Sequence, residues 1–235
     1  MNHEAANPLN EAELTASRIR WGVLAALYVC FLLWYGGSGE PVSPEEVEGY
    51  VAAFEERAAA RGPSGVGQET DDLEILGNIR EFLETDDGQE FVMLNLNVYR
   101  EAPEYPESVD ITEAIETAAE AEDEYQRRVA PLLFARAAHP IVGVEPVFLL
   151  GGIGHFERQN WNFASMVRYR SRRDFIQMIL SPAFSQDVNL KWAALARSTS
   201  MISVPVISLA MIRVIPLLIL IIIGLVLDRI TVRSS

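Results

Sequence analysis

Two long apolar runs enclose a central stretch of mixed patterning. The first, WGVLAALYVCFLLWYGGSG at 21–39, has 19 residues without a charge, close to the ~20 that a helix needs to cross the ~30 Å hydrocarbon core of a bilayer. The second, VIPLLILIIIGLVL at 214–227, has 14 residues and becomes a span of 22 only when it is extended back to 206. The pattern predicts transmembrane helices at 21–39 and 206–227.

Each run has an alternative interpretation. The first could be a cleavable signal peptide, but Glu4, Glu11 and Glu13 precede it and no Ala-x-Ala follows, which favours an uncleaved anchor. The second includes Arg213 in its first two turns. A long basic side chain near a helix end reaches the membrane–water interface in most cases. The functional alternative for Arg213 is an ion pair with another subunit.

Basic residues lie next to each run on the side that faces the chain terminus, and they predict the membrane topology. Arg18 and Arg20 precede the first span, and Arg229 and Arg233 follow the second. The positive-inside rule then places both tails, 1–20 and 228–235, in the cytoplasm. We expect a protein of the cytoplasmic (inner) membrane whose central part lies outside the cytoplasm.

The segment 40–87 carries helical periodicity. Ser43-Pro44-Glu45-Glu46 has the form of a capped helix start, and a loop composition at 62–68 ends that helix. Apolar residues then recur at helical spacing within 71–84. These features predict a stalk of two amphipathic helices whose apolar faces are packing surfaces.

From 88 to 205 the pattern changes to strands and helices in turn. Residues 91–99 alternate, with Val92, Leu94, Leu96 and Val98 on a dry face and Met93, Asn95, Asn97 and Tyr99 on a mixed one. A long helix follows, for which Asp110 is a plausible cap and Pro131 a break or kink. The remaining predicted elements are strands at 141–150, 161–169 and 198–204 and helices at 171–180 and 182–196.

That order, strand, helix, strand, strand, helix, strand, predicts an α+β domain with the ferredoxin-like βαββαβ arrangement. Its four-stranded antiparallel sheet would carry helices on one face only. Such a sheet usually buries its open face against a second copy. We therefore expect a homodimer with a shared interior between two sheets.

Charge and cysteine content exclude several classes of protein. Lys and Arg number 19 against 33 Asp and Glu, for a net charge of −14, so the chain has no basic footprint for nucleic acid. Cys30 is the one cysteine, which excludes an intrachain disulfide and every multi-cysteine metal site. We expect neither a metal nor a cofactor.

Polar residues on two predicted strands form the candidate site. The mixed face of the first strand carries Asn95, Asn97 and Tyr99. One face of the third carries Asn162, Met166 and Arg168. These side chains could line a small-molecule pocket. Alternatively, they satisfy one another across a dimer interface, which is the interpretation we favour, with Glu145 or Glu157 as the acceptor for Arg168.

Two histidines lie outside the N-terminal tail. His139 precedes Pro140 at a helix-to-strand connection, and His155 ends the loop sequence GGIGH. Either could act as a general base or haem ligand, and His155 is a weak candidate for such a role. A lone loop histidine without a paired carboxylate is ordinarily solvated.

Four segments carry a resemblance to a known family: FVMLNLNVYR (91–100), RRVAPLLFARA (127–137), ASMVRYRSRRDFIQMILSPAFSQ (164–186) and KWAALARST (191–199). Over residues 88–205 the chain resembles the DUF1330-like branch of the dimeric α/β-barrel superfamily. The resemblance implies that fold and a homodimer, but no settled activity. Other branches include cofactor-independent monooxygenases and haem-handling enzymes, and this chain has Leu190 and Lys191 where the branch has a His-Arg pair.

The sequence thus predicts a membrane-anchored interaction or assembly protein with an extracytoplasmic homodimeric α/β-barrel domain and no evident catalysis. Its expected partners are the lipid bilayer, a second copy and other membrane proteins. The alternative is a small-molecule-binding protein or a cofactor-independent monooxygenase-like enzyme that acts on an apolar substrate.

Overall fold

The computed structural model describes residues 11–61, 72–105, 115–147, 161–205 and 212–234. They belong to two compact units. One holds the two terminal helices and the other extends from Gly37 to Ile207. The described elements are, in order, α1 (Glu11–Gly36), α2 (Pro44–Arg61), α3 (Asp72–Glu84), β1 (Phe91–Tyr99), α4 (Ala118–Ala135), β2 (His139–Val144), β3 (Phe163–Tyr169), α5 (Arg172–Ile179), α6 (Pro182–Ala194), β4 (Leu195–Ser203) and α7 (Val214–Ser234).

The two terminal helices contain the predicted apolar runs. Glu13–Gly36 within α1 and Val214–Thr231 within α7 are each long and apolar enough to cross a membrane. The helical bounds differ from the predicted spans, because α1 ends at Gly36 rather than at 39 and α7 begins only at Val214. Arg213 therefore lies in the turn before α7 rather than inside the helix. The predicted extension to 206 falls partly outside the described residues.

A four-stranded antiparallel sheet organises the second unit, as predicted. Its strand order is β2-β3-β1-β4, so β1 and β3 are the inner strands. In the register of the inner pair Phe91 lies opposite Tyr169, and on the other side Asn95 lies opposite Ser200. Because paired residues point to the same side of a sheet, this register defines which side chains share each face.

The helices pack on the face that carries Phe91 and the other odd-numbered residues of β1. The ring of Phe91 stacks on Tyr169 with centroids 5.1 Å apart, and Tyr169 meets Phe175 of α5 edge-on at 4.9 Å. Met178 joins this aromatic cluster from the same helix. The odd-numbered face of β1, which combines aromatic and polar side chains, is therefore the face that the helices cover.

Side-chain caps begin the helices of the sheet unit. Thr117 and Glu120 form a reciprocal capping box at the start of α4, whereas the predicted cap Asp110 lies outside the described residues. Of the break or kink predicted at Pro131, the break does not occur, since α4 continues through it to Ala135. Ser181 caps α6. Pro182 takes its first position, as the predicted helix start at 182 implies.

Helices α2 and α3 do not form a separate stalk, which corrects the prediction for 40–87. Val47 and Val51 of α2 and Leu83 of α3 share one buried cluster with Ile176 of α5. A polar contact also joins α2 and α5, since the guanidinium of Arg173 donates a hydrogen bond to the carboxylate of Glu46 at 2.8 Å. This contact lowers the pKa of the Glu46 carboxyl to about 2. Apolar faces of two amphipathic helices need a partner, and here α5 supplies it.

Truncating Leu83 tests whether α3 belongs to the sheet unit. Leu83 is buried and Leu73 on the same helix is exposed. We expect Leu83→Ala to lower the free energy of unfolding of the whole unit by about 2–4 kcal/mol, because it removes buried methyl groups and leaves a cavity. Leu73→Ala should change it by less than about 0.5 kcal/mol. Urea denaturation of the detergent-solubilised chain measures both, and an unchanged midpoint for Leu83→Ala would contradict the packing.

Candidate functional site

The sequence-predicted site residues of β1 lie under the helices. Asn95 and Asn97 are both buried on the covered face. Each side-chain carbonyl accepts a hydrogen bond from β4, Asn95 from Ser200 at 2.8 Å and Asn97 from Ser198 at 2.8 Å. The two asparagines thus satisfy part of their hydrogen-bonding capacity inside one chain, as buried amides must.

Asn97 also contacts a buried carboxyl on α4. Its amide nitrogen donates to Oε1 of Glu122 at 3.4 Å, and Gln126 one turn further along donates to the same oxygen at 3.3 Å. Glu122 is only 3% exposed, and within the described residues its Oε2 is buried without a hydrogen-bond partner. Burial raises the pKa of this carboxyl above its usual range.

Lys191 of α6 supplies the opposing charge. Its ammonium lies 5.7 Å from the ring centroids of both Tyr125 and Trp192, within cation–π range. Burial lowers the pKa of Lys191, and the charge of Glu122 partly offsets this effect. No salt bridge of 4.0 Å or less joins the two groups in the described part of the chain. A carboxyl and an amine with such opposed pKa shifts are typical of a site that binds or transfers protons, and also of a structural polar network.

Tyr99 and Asn162 meet at the end of the inner strand pair. The backbone amide of Tyr99 donates to the side-chain oxygen of Asn162 at 2.8 Å. Burial, with the charge of Glu122 as the next cause, raises the pKa of the Tyr99 hydroxyl. Asn162 is itself exposed, so its amide caps the strand end and does not line an enclosed space.

Met166 and Arg168 point to the opposite, uncovered face. Their partners on β1 in the register are Leu94 and Val92, which belong to the even-numbered face. A sheet residue cannot share a face with its immediate neighbour along the strand. The predicted grouping of all six residues in one place is therefore corrected: Asn95 and Asn97 lie on one side of the sheet and Met166 and Arg168 on the other.

Arg168 is buried and forms an ion pair with the partly exposed Glu90 at one corner of the uncovered face. Its Nε donates to Oε2 of Glu90 at 3.0 Å, and its Nη1 donates to the backbone carbonyl of Ala137 at 2.7 Å. The Arg168 side chain is 4% exposed and that of Glu90 is 31% exposed. Of the acceptors expected from the sequence, Glu145 is exposed and forms no described ion pair, and Glu157 lies outside the described residues.

Of the two candidate histidines, the structure describes His139. The Nδ1 of His139 lies 3.1 Å from the carbonyl oxygen of Pro140, and the residue is opposite Arg168 in the sheet. His155 lies outside the described residues. Among the residues that the structure describes, no cluster of three or more His, Cys, Asp or Glu side chains could hold a metal ion.

Three residues of these networks were not indicated by the sequence motifs. Glu122 sits on the apolar stripe of α4, between buried Ala118 and Ala121 on one side and Val129 on the other. A carboxylate inside such a stripe is the signal that could have identified it. Lys191 and Glu90 carry no comparable signal, since each stands beside residues of mixed polarity.

Comparisons with known proteins give a similar fold without an activity. No family model matches the chain, and no curated protein does. Solved structures do match, among them two of one protein. One is the RPA0582 protein of unknown function from Rhodopseudomonas palustris, which is 23% identical with a TM-score of 0.49. The alignment covers 62% of this chain and 100% of the RPA0582 chain. The methylated RPA0582 protein is 22% identical with a TM-score of 0.50, with 62% and 99% covered. The chain is thus a mixed α+β protein with two apolar helices, similar in fold to uncharacterised proteins.

The Arg168–Glu90 pair yields a test of stability. We expect Arg168→Met to lower the free energy of unfolding by about 2–3 kcal/mol, because it leaves the Ala137 carbonyl and the half-buried Glu90 carboxylate without their donor. Arg127→Met is the matched control, since the Arg127 side chain is 72% exposed and pairs with Glu124 at the surface of α4, and it should change stability by less than about 0.5 kcal/mol. Chemical denaturation measures both, and equal midpoints for Arg168→Met and the parent would show that the pair is not structural.

Proposed function

We propose that this protein is a membrane-anchored interaction or assembly module that forms a homodimer through the uncovered face of its sheet. The observation that carries the proposal is an apolar face with no described helix on it. Apolar side chains of all four strands lie on that face: Val142 and Val144 of β2, Ala164 and Met166 of β3, Leu94 and Leu96 of β1, and Met201 of β4. Exposed apolar patches of this kind mark interaction sites in soluble domains.

Charge favours a second copy as the occupant of this face. None of the four strands contains an aspartate or glutamate, although the chain as a whole carries a net charge of −14. Two copies can approach through this surface without opposing carboxylates, whereas most other contacts would bring acidic surfaces together. The charged groups of the face lie at its margins, where Arg168 pairs with Glu90 and Arg197 stacks on Trp161 at 4.7 Å.

The size of the face suits a modest interface. Four strands at about 4.8 Å spacing and about six residues at 3.3 Å give a flat footprint of about 400 Å², before side-chain relief is added. A standard interface buries about 800 Å² per partner, so the predicted dimer lies at the small end. Anchoring both copies in one membrane raises their effective concentration and offsets a small contact area.

The strand order supports a finer assignment of the fold. The order β2-β3-β1-β4, with α4 after β1 and α5–α6 after β3, agrees with the ferredoxin-like arrangement. The resemblance to the DUF1330-like branch covers the same residues, and members of that superfamily pair their sheets face to face. We propose this fold and family for residues 88–205.

We also propose that the sheet unit lies outside the cytoplasm. Arg18 and Arg20 precede one apolar run and Arg229 and Arg233 follow the other, all on the sides that lead to the termini. This distribution supports two spans of the cytoplasmic membrane with both termini inside. The partners would then be the bilayer, a second copy, and other membrane proteins.

A second candidate function is small-molecule binding, with a cofactor-independent enzyme as its catalytic form. The buried Oε2 of Glu122, which has no partner in the described residues, favours it. Native mass spectrometry of the chain in mild detergent distinguishes the two functions. A retained small molecule that is lost in Glu122→Gln would support the second candidate, and a ligand-free dimer would support the first.

A matched pair of lysine substitutions on β4 tests the dimer. Met201 and Ile202 are neighbours with equal exposure, 41% and 42%, but they point to opposite faces of the sheet because successive strand residues alternate. We expect Met201→Lys to weaken the dimer at least about tenfold, since it places two like charges in the interface. Ile202→Lys should leave the dimer unchanged. The monomer–dimer equilibrium is measured by native mass spectrometry over a dilution series.

Two outcomes would contradict the proposal. A parent chain that is folded and monomeric at every concentration has no such interface. Equal weakening by Met201→Lys and Ile202→Lys would place the contact elsewhere. Circular dichroism of each variant confirms that the sheet unit is folded.

A further inference from the structure

The unit formed by α1 and α7 contains a charged contact that the proposed function does not use. Asp228 lies within the apolar window of α7. Its carboxylate accepts hydrogen bonds from the Ser17 hydroxyl at 3.0 Å, from the Trp21 indole at 2.8 Å, and from the guanidinium of Arg20. Arg20 donates in addition to the Thr231 hydroxyl at 3.2 Å.

Close packing accompanies these hydrogen bonds. The indole ring of Trp21 lies directly over Gly224, one turn before Asp228, so that a Cβ at position 224 would be 2.6 Å from the ring. A side chain at position 224 would therefore force the Trp21 ring to move away, since real Cβ contacts are longer. Small residues that let helices approach closely are typical of helix pairs in membranes.

The opposite ends of the helices are joined in a different way. There the Tyr28 hydroxyl donates to the Arg213 carbonyl at 3.0 Å, and the Arg213 guanidinium lies 5.3 Å from the Tyr35 ring centroid. These ends continue directly into the central chain, which connects them covalently. At the ends that carry Ser17 and Asp228, the hydrogen bonds of Asp228 join the two helices.

We propose that Asp228 holds α1 and α7 of one chain together as an antiparallel pair of membrane helices, which we call the hairpin. The contacts of Asp228 with Ser17, Arg20 and Trp21, together with the packing of Trp21 on Gly224, are called the lock. An aspartate in a membrane helix is costly unless it finds a partner, and such residues mark specific contacts. Here Arg20 neutralises its charge while Ser17 and Trp21 complete its hydrogen bonds, all from the same chain. The spans therefore act as one anchor, and the surface left for other membrane proteins is the outer side of this hairpin.

Cross-linking near the termini tests the lock. In a background where the exposed Cys30 is replaced by serine, Ser17→Cys and Thr231→Cys are introduced together. This pair removes the Ser17 and Thr231 hydroxyls but keeps the contacts of Asp228 with Arg20 and Trp21 that the test addresses. A short bis-maleimide is applied to intact membranes that contain the full chain. We expect an intramolecular cross-link, seen as two fragments that stay joined after proteolysis between the helices.

Two variants open the lock and one serves as the control. Asp228→Ala and Gly224→Leu should each lower the intramolecular yield about tenfold, which corresponds to about 1.4 kcal/mol of lost pairing. Arg229→Ala removes the adjacent charge, for which no contact to the lock is described, and should leave the yield unchanged. If Asp228→Ala fails to insert, Gly224→Leu decides the result because it alters no charge.

Three results would overturn the proposal: an unchanged yield in the inserted lock variants, an equal loss in Arg229→Ala, or a predominance of intermolecular products. The last is read by co-expressing chains that carry only Ser17→Cys with chains that carry only Thr231→Cys. Cross-linked dimers in that mixture at the yield of the double-cysteine chain would show pairing between chains.

Discussion

The two faces of β1 determine the arrangement of the sheet unit. This strand lies between β3 and β4, so its odd-numbered and even-numbered side chains define the two sides of the whole sheet. The odd side carries Phe91, Asn95 and Asn97 and is covered by helices. The even side carries Leu94 and Leu96 and has no described helix on it. Because side chains alternate with a period of two, a slip of one residue would bury the apolar side and expose the aromatic cluster with its polar neighbours.

The sequence alone predicts the kind and order of these elements better than it predicts their contacts. Alternation at 91–99 correctly indicates a strand with one dry and one mixed face, and the helices predicted at 171–180 and 182–196 correspond to α5 and α6. It does not indicate which face the helices cover. The sequence favours a dimer interface for Asn95 and Asn97. In the structure their side chains instead accept hydrogen bonds from Ser200 and Ser198, and Asn97 donates to Glu122, all within one chain.

Long-range partners were harder to predict for a physical reason. Arg168 needs an acceptor wherever it is buried, yet Glu90 lies 78 positions away and becomes its neighbour only through the pairing of β1 with β3. The same applies to α2 and α3, whose amphipathic pattern indicates that a partner exists but not that α5 is that partner. Asp228 reaches Arg20 across 208 positions through the pairing of two helices that hydropathy treats as separate.

Accessibility of the open face in native membranes tests the central claim, that a partner covers this face. In a chain with Cys30 replaced by serine, single cysteines are placed at Met166 on the open face and, as the reference, at Ile202 on the opposite face. Both side chains are exposed within one protomer, 39% and 42%, so their alkylation rates by a water-soluble maleimide should be similar in the isolated protomer. The account predicts that in the membrane Met166→Cys is protected by about tenfold or more relative to Ile202→Cys. Equal rates would show that the face is open to solvent and would contradict the claim.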